Sequence, residues 1–240
     1  MKVWLLVLVA ALVGNVFAGF RDADQGWVIP PADCIERDTG YFGAVSVSSL
    51  YQMPELPMQS ILSGWSSEKW HMAFRWHKLG GDVYREDSMS VDMLFGGSLK
   101  FGIKSERESQ QFLDEPGWST LYSFVTRYDY RESMTIISTT PISGAMLTTR
   151  DYEQLLLILN NKDVLFALGI DNTESGEKSV RLGLDWLLHS MFRVGAIVDT
   201  GSSSTGLTTT IKVGKILTRS SHLSHPELGM THRWQLIIFR

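Results

Sequence analysis

Short apolar runs with a period of two limit the folds open to this 240-residue chain. In the clearest run, residues 70–77, Trp70, Met72, Phe74 and Trp76 alternate with His71, Ala73, Arg75 and His77. This alternation is typical of a β-strand with one apolar and one polar face, because successive side chains point to opposite sides of a sheet. Similar runs, bounded by Gly, Ser, Asp or Asn, recur along the chain and predict about ten strands.

The other predicted strands lie within residues 99–104, 121–130, 133–139, 155–159, 164–170, 180–186, 192–198, 207–217 and 234–239. Many short strands joined by turn-rich loops favour an antiparallel sandwich or barrel over alternating βαβ units. We therefore predict an all-β fold, an antiparallel β-sandwich or jelly roll, formed by a single domain over residues 41–240. Two smaller sandwiches, split near residues 139–149, are the alternative.

The apolar face of each strand is predicted to form the core of this sandwich, and the polar face is predicted to meet solvent. The predicted core contains Trp70, Met72, Phe74, Trp76, Phe101, Phe166, Leu182, Leu184, Trp186, Val194, Val198 and Ile211. On this interpretation, replacing Phe74 by Ala destabilises the fold by about 3 to 5 kcal/mol, the usual loss for a buried aromatic side chain.

The N-terminus has the pattern of a cleavable signal peptide. Lys2 precedes an apolar run over residues 3–13, and small residues lead to a predicted cut after Ala18. Residues 19–40 are rich in turn-formers and acids and are predicted to form an irregular arm. The apolar run is shorter than the about 20 residues that a membrane helix needs, so we expect a secreted, extracellular protein without membrane insertion.

Charge and cysteine content restrict the partners of the mature chain. Without Lys2 it has 21 basic and 26 acidic residues, a net charge of −5. This acidity argues against nucleic acid as a partner, because phosphate binding needs clustered positive charge. Cys34 is the only cysteine, so it is either a free thiol or the link of a homodimer.

The polar face of the strand at 70–77 is the candidate binding site. His71, Arg75 and His77 share that face, near Trp65 and facing Lys100 and Lys104 of a neighbouring strand. Arginine and lysine can pair with an anionic glycan, and Trp65 can stack on a sugar ring. With Tyr128 or Tyr130 as a proton donor, the same face would suit a polysaccharide lyase. The alternative is that this face is only solvated.

Two further motifs have simpler explanations. His222, His225, Glu227 and His232 lie close together in sequence, but the stretch contains Pro226 and Gly229, is predicted to be a loop, and matches no zinc signature. Asp199-Thr200-Gly201 resembles the catalytic loop of aspartic peptidases, and a second copy lies at Asp38-Thr39-Gly40. Too little chain follows the first copy for that family, so the motif predicts an ordinary turn.

The sequence therefore predicts a secreted binding module that recognises a glycan or an extracellular protein surface. A secreted polysaccharide-cleaving enzyme of the lyase type is the alternative from another functional class. The predicted site residues are Trp65, His71, Arg75, His77, Lys100 and Lys104. We predict no cofactor and no metal.

Overall fold

The computed structural model describes residues 40–49, 57–80, 84–112, 115–131, 133–145, 153–161, 163–172, 178–200, 203–226 and 229–239. These residues form fourteen strands: β1 (Gly40–Ser49), β2 (Pro57–Ser66), β3 (Trp70–Gly80), β4 (Tyr84–Gly96), β5 (Leu99–Phe112), β6 (Glu115–Tyr130), β7 (Met134–Ala145), β8 (Glu153–Asn160), β9 (Val164–Asn172), β10 (Lys178–His189), β11 (Phe192–Asp199), β12 (Ser204–Val213), β13 (Ile216–His225) and β14 (Gly229–Phe239). The predicted signal peptide, the arm up to residue 39 and Cys34 lie outside the described residues. No helix within the described ranges is long and apolar enough to cross a bilayer.

All fourteen strands form one closed antiparallel barrel. Each strand pairs with its neighbours in sequence, and β1 pairs with β14 to complete the ring, with Phe42 opposite Phe239. Closure removes the free strand edges that an open sheet leaves unpaired. The predicted β-sandwich or jelly roll is therefore wrong, and so is the alternative of two sandwiches, because a single sheet curves until its first and last strands meet.

The two ends of the barrel differ in the length of their connections. At one end, which we call the turn end, the six connections between strands are two or three residues long, and β1 begins and β14 ends there. At the opposite end, which we call the loop end, the connections reach seven residues, between β1 and β2 and between β7 and β8. Positions along each strand are counted below from the turn end.

The outer face of the barrel is apolar and the face toward the lumen is more polar, the reverse of the predicted arrangement. All twelve predicted core residues lie on the outer face; the exposed fraction is 39% for Phe74 and 55% for Trp186. Most buried residues alternate with them and face the lumen, for example Asp92, Asp185 and Arg219. The predicted core is therefore wrong, since a period of two defines two faces but not which of them is inside.

The lumen wall also contains small apolar clusters near the turn end. Ile158, Leu165 and Ala167 form one cluster across β8 and β9. A second cluster, of Ala44, Leu217 and Ile237, spans β1, β13 and β14 where the barrel closes. These clusters provide packing inside the barrel on strands that have few charged groups at that level.

Candidate functional site: the barrel lumen and the outer face

The predicted site residues are divided between the two faces of the barrel. His71, Arg75 and His77 on β3 face the lumen together with Lys100 and Lys104 on β5, and β4 lies between these two strands. Trp65 does not join them. It lies on the outer face of β2, opposite Met72 of β3, so it cannot stack on a ligand that those cations hold.

The tyrosines considered for acid catalysis also lie on the outer face. Tyr128 and Tyr130 alternate along β6 with Arg127 and Asp129, which face the lumen. They therefore cannot deliver a proton to a ligand bound beside His71 and Arg75. The predicted lyase arrangement is not formed.

A charged cluster lies on the lumen wall near the turn end, and we call it the Asp129 cluster. The Arg127 Nε atom donates to both carboxylate oxygens of Asp129, at 3.0 and 2.9 Å. Lys100 Nζ donates to Asp129 Oδ2 at 3.3 Å, and Thr135 Oγ1 donates to Asp129 Oδ1 at 2.9 Å. Two cations share one carboxylate, so the cluster has a net positive charge.

Two more ion pairs continue this wall toward the loop end. Arg75 Nη1 lies 2.9 Å from Asp92 Oδ2, although half of the Arg75 side chain stays exposed. Lys104 Nζ lies 2.8 Å from Glu106 Oε2. At the turn end, the ring of His71 stacks on Phe42 with a centroid distance of 6.1 Å.

The opposite wall contains a buried group, the Asp185 cluster, built from three strands. Asp185 on β10 accepts a hydrogen bond from Thr208 Oγ1 of β12 at 3.0 Å and forms an ion pair with Arg219 of β13. Gly195 of β11 lies between Asp185 and Thr208 in the register. A Cβ atom at Gly195 would overlap both side chains and would lie 2.6 Å from the main-chain oxygen of Leu184. The side chains of Asp185 and Thr208 can therefore meet across β11 because residue 195 is a glycine.

Of the charged residues in the two clusters, sequence reasoning identified only Lys100. Arg127, Asp185 and Arg219 each lie inside a strand, between two residues that point outward. A charged residue in the middle of an apolar stretch, repeated from strand to strand, is the signal that would have found them.

Charge is unevenly distributed along the lumen. The described lumen-facing residues at the first six positions of the strands include seven cations, Arg75, Lys100, Lys104, Arg127, Arg193, Lys212 and Arg219, and three carboxylates, Asp92, Asp129 and Asp185, a net charge of +4. Beyond them lie two cations, Arg181 and Arg233, and four carboxylates, Glu86, Glu106, Glu108 and Asp199, a net charge of −2. The lumen is thus positive toward the turn end and negative toward the loop end.

Near the turn end, where the lumen is positively charged, the described outer face is uncharged. Over the first seven positions of the strands, no described outward side chain is Asp, Glu, Lys or Arg. The first outward charges are Lys78 and Arg107 at position nine and Asp87 at position ten. Charged residues reappear in the short turns, for example Lys69 and Lys215. A charge-free band therefore encircles the described barrel.

Aromatic side chains line the turn-end margin of this band. Tyr41, Trp65, Trp70, Phe95, Tyr128, Tyr130 and Trp186 all point outward within four positions of the turn end. Trp70 and Phe95 contact each other across β3 and β4, with ring centroids 4.6 Å apart. At the other margin, the guanidinium of Arg107 lies 4.4 Å from the ring centroid of Trp118.

The C-terminal histidines lie in strands, so the predicted loop is wrong. His222 on β13 and His232 on β14 are direct cross-strand partners on the outer face, whereas His225 is buried on the lumen side. Glu227 lies outside the described residues. No group of three or more His, Cys, Asp or Glu in the described part of the chain is arranged to hold a metal ion.

Asp199 ends β11 and is 3% exposed on the lumen side. After it, the main-chain N–H of Val180 donates to Thr200 Oγ1 at 2.8 Å, which joins the loop end of β10 to the end of β11. Asp38, the other aspartate of the repeated motif, lies outside the described residues. Asp199 thus stands at the end of a strand where the chain turns.

The fold has counterparts among solved structures. The chain is similar to the outer membrane protein Omp33 of Acinetobacter baumannii, with a TM-score of 0.58 and 5% identity over 85% of this chain and 99% of that one. Mutant porin of Rh. blastica aligns with a TM-score of 0.47 at 5% identity, over 85% of this chain and 99% of that one. The KdgM porin aligns at 0.46 with 9% identity, over 82% and 98%. No family model and no curated protein matches the sequence.

The likeness to Omp33 and the apolar outer face overturn four predictions. The secreted, extracellular location is wrong, and so are the glycan- or protein-binding module and its lyase alternative. The prediction that the chain does not insert into a membrane is wrong as well. A soluble module must hide its apolar strand faces, whereas this barrel displays them over its whole circumference.

Proposed function

We propose that this chain is an integral outer-membrane β-barrel that forms a channel for ions and small polar solutes. One observation carries the proposal: a charge-free band on the outer face surrounds a lumen lined with charged side chains, several of them in ion pairs. In a bilayer each strand must present apolar side chains to lipid and can present polar ones to an enclosed aqueous space. A closed barrel also satisfies every main-chain hydrogen bond between strands, as a spanning sheet requires.

The dimensions of the outer band suit a bilayer. Seven or eight uncharged positions per strand correspond to about 25 Å along the strand and, at a tilt of about 40°, to a height of about 19 Å. Outer-membrane barrels present an apolar band about 25 Å tall, so the charge-free band accounts for most of that height. The outward ring at the turn end, from Tyr41 to Trp186, matches the interfacial position that tryptophan and tyrosine prefer.

The short connections suggest the orientation. Outer-membrane barrels have short turns on the periplasmic side and longer loops outside the cell. The turn end, where β1 begins and β14 ends, would then face the periplasm. The predicted signal peptide would supply the export step that this location needs.

The number of strands allows a water-filled lumen. Fourteen strands spaced by about 4.8 Å and tilted by about 40° give a barrel about 28 Å wide between backbones. Eight strands are about the number whose side chains fill a barrel, and porins of 16 to 18 strands leave an aqueous channel. Charged lumen groups such as Lys100, Arg127 and Asp129 would otherwise lie unhydrated, at a high free-energy cost.

The test is to refold the mature chain in detergent, transfer it to lipid vesicles and record currents across a planar bilayer. We expect the protein to float with the vesicles and to produce stepwise conductance in KCl. A protein that stays monomeric in buffer without detergent and never floats with vesicles would refute membrane insertion. Flotation without any conductance would refute the channel alone.

A further inference from the structure

On the outer face, within or beside the apolar band, a hydrogen-bonded polar group lies on β13 and β14. The Ser220 Oγ atom lies 3.0 Å from His222 Nε2, and His222 Nδ1 lies 2.7 Å from His232 Nδ1. The two imidazole rings meet edge to face with a centroid distance of 5.0 Å. Ser220 and His222 are two positions apart on β13 and therefore share a face, and His232 is the direct partner of His222 on β14.

The hydrogen bonds restrict the protonation of both histidines. Two facing Nδ1 atoms can form a hydrogen bond only when one of them holds the proton. If His222 holds it, His222 donates to His232 and its Nε2 atom is free to accept the Ser220 hydroxyl proton. A hydroxyl, a base beside it and a third group that orients the base are the parts of an activated nucleophile.

We propose that Ser220, His222 and His232 form an ester-hydrolase site that lies on the lipid side of the barrel and cleaves acyl esters. Ser220 Oγ attacks the acyl carbonyl carbon while His222 Nε2 takes the hydroxyl proton, which forms a tetrahedral oxyanion. The oxyanion collapses, the carbon–oxygen bond to the alcohol breaks, and His222 returns the proton to the leaving alkoxide. Water, activated by His222, then hydrolyses the acyl-serine to a free fatty acid and restores the hydroxyl.

The surroundings define the other roles. His232 does not touch the substrate; it is a positioning residue that accepts the Nδ1 proton of His222. Thr209 stands directly opposite Ser220 on β12 and on the same face, so we assign its hydroxyl as a donor to the oxyanion. Leu207 and Trp234 border the site and are 67% and 65% exposed, which leaves an apolar surface for an acyl chain. Ser220 itself is only 7% exposed, so its neighbours on β12 and β14, Thr209 and Trp234, must move aside before an acyl carbonyl reaches its hydroxyl.

Depth in the bilayer identifies the substrate class. His222 and His232 lie seven and eight strand positions from the turn end, where the charge-free band gives way to outward charges such as Lys78 and Arg107. The ester carbonyls of a glycerolipid lie at this boundary between hydrocarbon and headgroups. The expected substrate is therefore an acyl ester of a membrane glycerolipid rather than a water-soluble ester.

This inference rests on the membrane insertion proposed above but not on conduction. The test measures fatty-acid release from mixed micelles of phosphatidylcholine and detergent, together with covalent labelling by a fluorophosphonate. We expect release by the wild type, and a fall of at least about 10³-fold in Ser220→Ala and His222→Ala. Ser220→Ala should also lose the label. Thr209→Val should lower kcat by about 10²-fold or more.

Matched variants separate catalysis from structure. Ser224→Ala changes another outward hydroxyl of β13 and should keep full activity. His232→Asn keeps an acceptor for the Nδ1 proton and should retain more activity than His232→Leu. All variants should float with vesicles like the wild type. No release by a protein that floats, or labelling that persists in Ser220→Ala, would overturn the hydrolase site and leave the barrel proposal intact. Failure to float would instead count against membrane insertion.

Discussion

At the scale of single residues, Gly195 leaves the space in which side chains from three strands contact one another. Asp185 and Arg219 form a buried ion pair, and Thr208 donates to the same carboxylate across the main chain of β11. Any side chain at position 195 must displace one of these partners. A buried carboxylate without its partners costs far more than the same group in water.

We therefore expect Gly195→Ala to lower the free energy of unfolding by about 1 to 3 kcal/mol, the usual cost of overpacking. Urea titration of the barrel in lipid vesicles, followed by tryptophan fluorescence, would measure it. Gly43→Ala on β1 is the control, because a Cβ atom there would meet only the main-chain oxygen of Leu62, at 3.8 Å. Equal unfolding midpoints for the two variants would contradict the role given to Gly195.

At the scale of strands, β3 shows that the alternation of apolar and polar residues predicts a strand and its two faces, but not which face is inside. The run of residues 70–77 was predicted as a strand, and β3 spans Trp70–Gly80. Its apolar face, however, is the outer face of the barrel, where Phe74 is 39% exposed. The loss of about 3 to 5 kcal/mol expected for Phe74→Ala assumed a packed core, and that assumption is wrong.

On the barrel, Phe74→Ala leaves no internal cavity, so we expect a cost below about 2 kcal/mol. Phe74→Arg places a charge in the apolar band and should cost about 2 to 4 kcal/mol. Both values can be read from unfolding midpoints in vesicles. Lys78→Glu, on the same face but beyond the band, is the control and should change stability little. A greater loss of unfolding free energy for Phe74→Ala than for Phe74→Arg would show that Phe74 packs in a protein core.

Strand positions were more predictable than their partners or their inner face. The run at 207–217 was read as one strand, but Gly214, with a φ of 60°, and Lys215 form a turn that divides it into β12 and β13. The polar alternation of residues 218–225 gave no apolar signal, so β13 was missed. His71, Arg75 and His77 were correctly placed on one face with Lys100 and Lys104, but period two alone could not show that this face encloses a lumen.

At the scale of the whole molecule, the axial separation of charge predicts an asymmetric current. When the loop side is held positive, anions enter through the positive turn end and cations enter through the negative loop end. Both counter-ions then accumulate in the lumen, so we expect a larger current than at the opposite polarity. Screening lengths of about 10 Å at 0.1 M salt and about 3 Å at 1 M predict that the asymmetry fades at high salt.

Single-channel recordings in KCl at both concentrations test this expectation. The orientation can be assigned from the side on which an impermeant thiol reagent modifies Lys215→Cys in a chain that also has Cys34→Ser. Replacing two turn-end cations, Arg193→Glu and Lys212→Glu, should weaken or reverse the asymmetry, whereas Lys78→Glu on the outer face should not. A current that is symmetric at 0.1 M would show that the charge separation does not control conduction.

Because β1 pairs with β14, the closed ring of strand pairings does not depend on which strand comes first in the chain. Six short turns join strands at the turn end, and the seventh place in that ring is the gap between Gly40 and Phe239. A linker of two or three residues, like its six neighbours, should close this gap. The ring could then be opened within residues 146–152. We expect this circular permutant to refold into the same barrel and to conduct like the original chain, because each of the fourteen strand pairings survives the change.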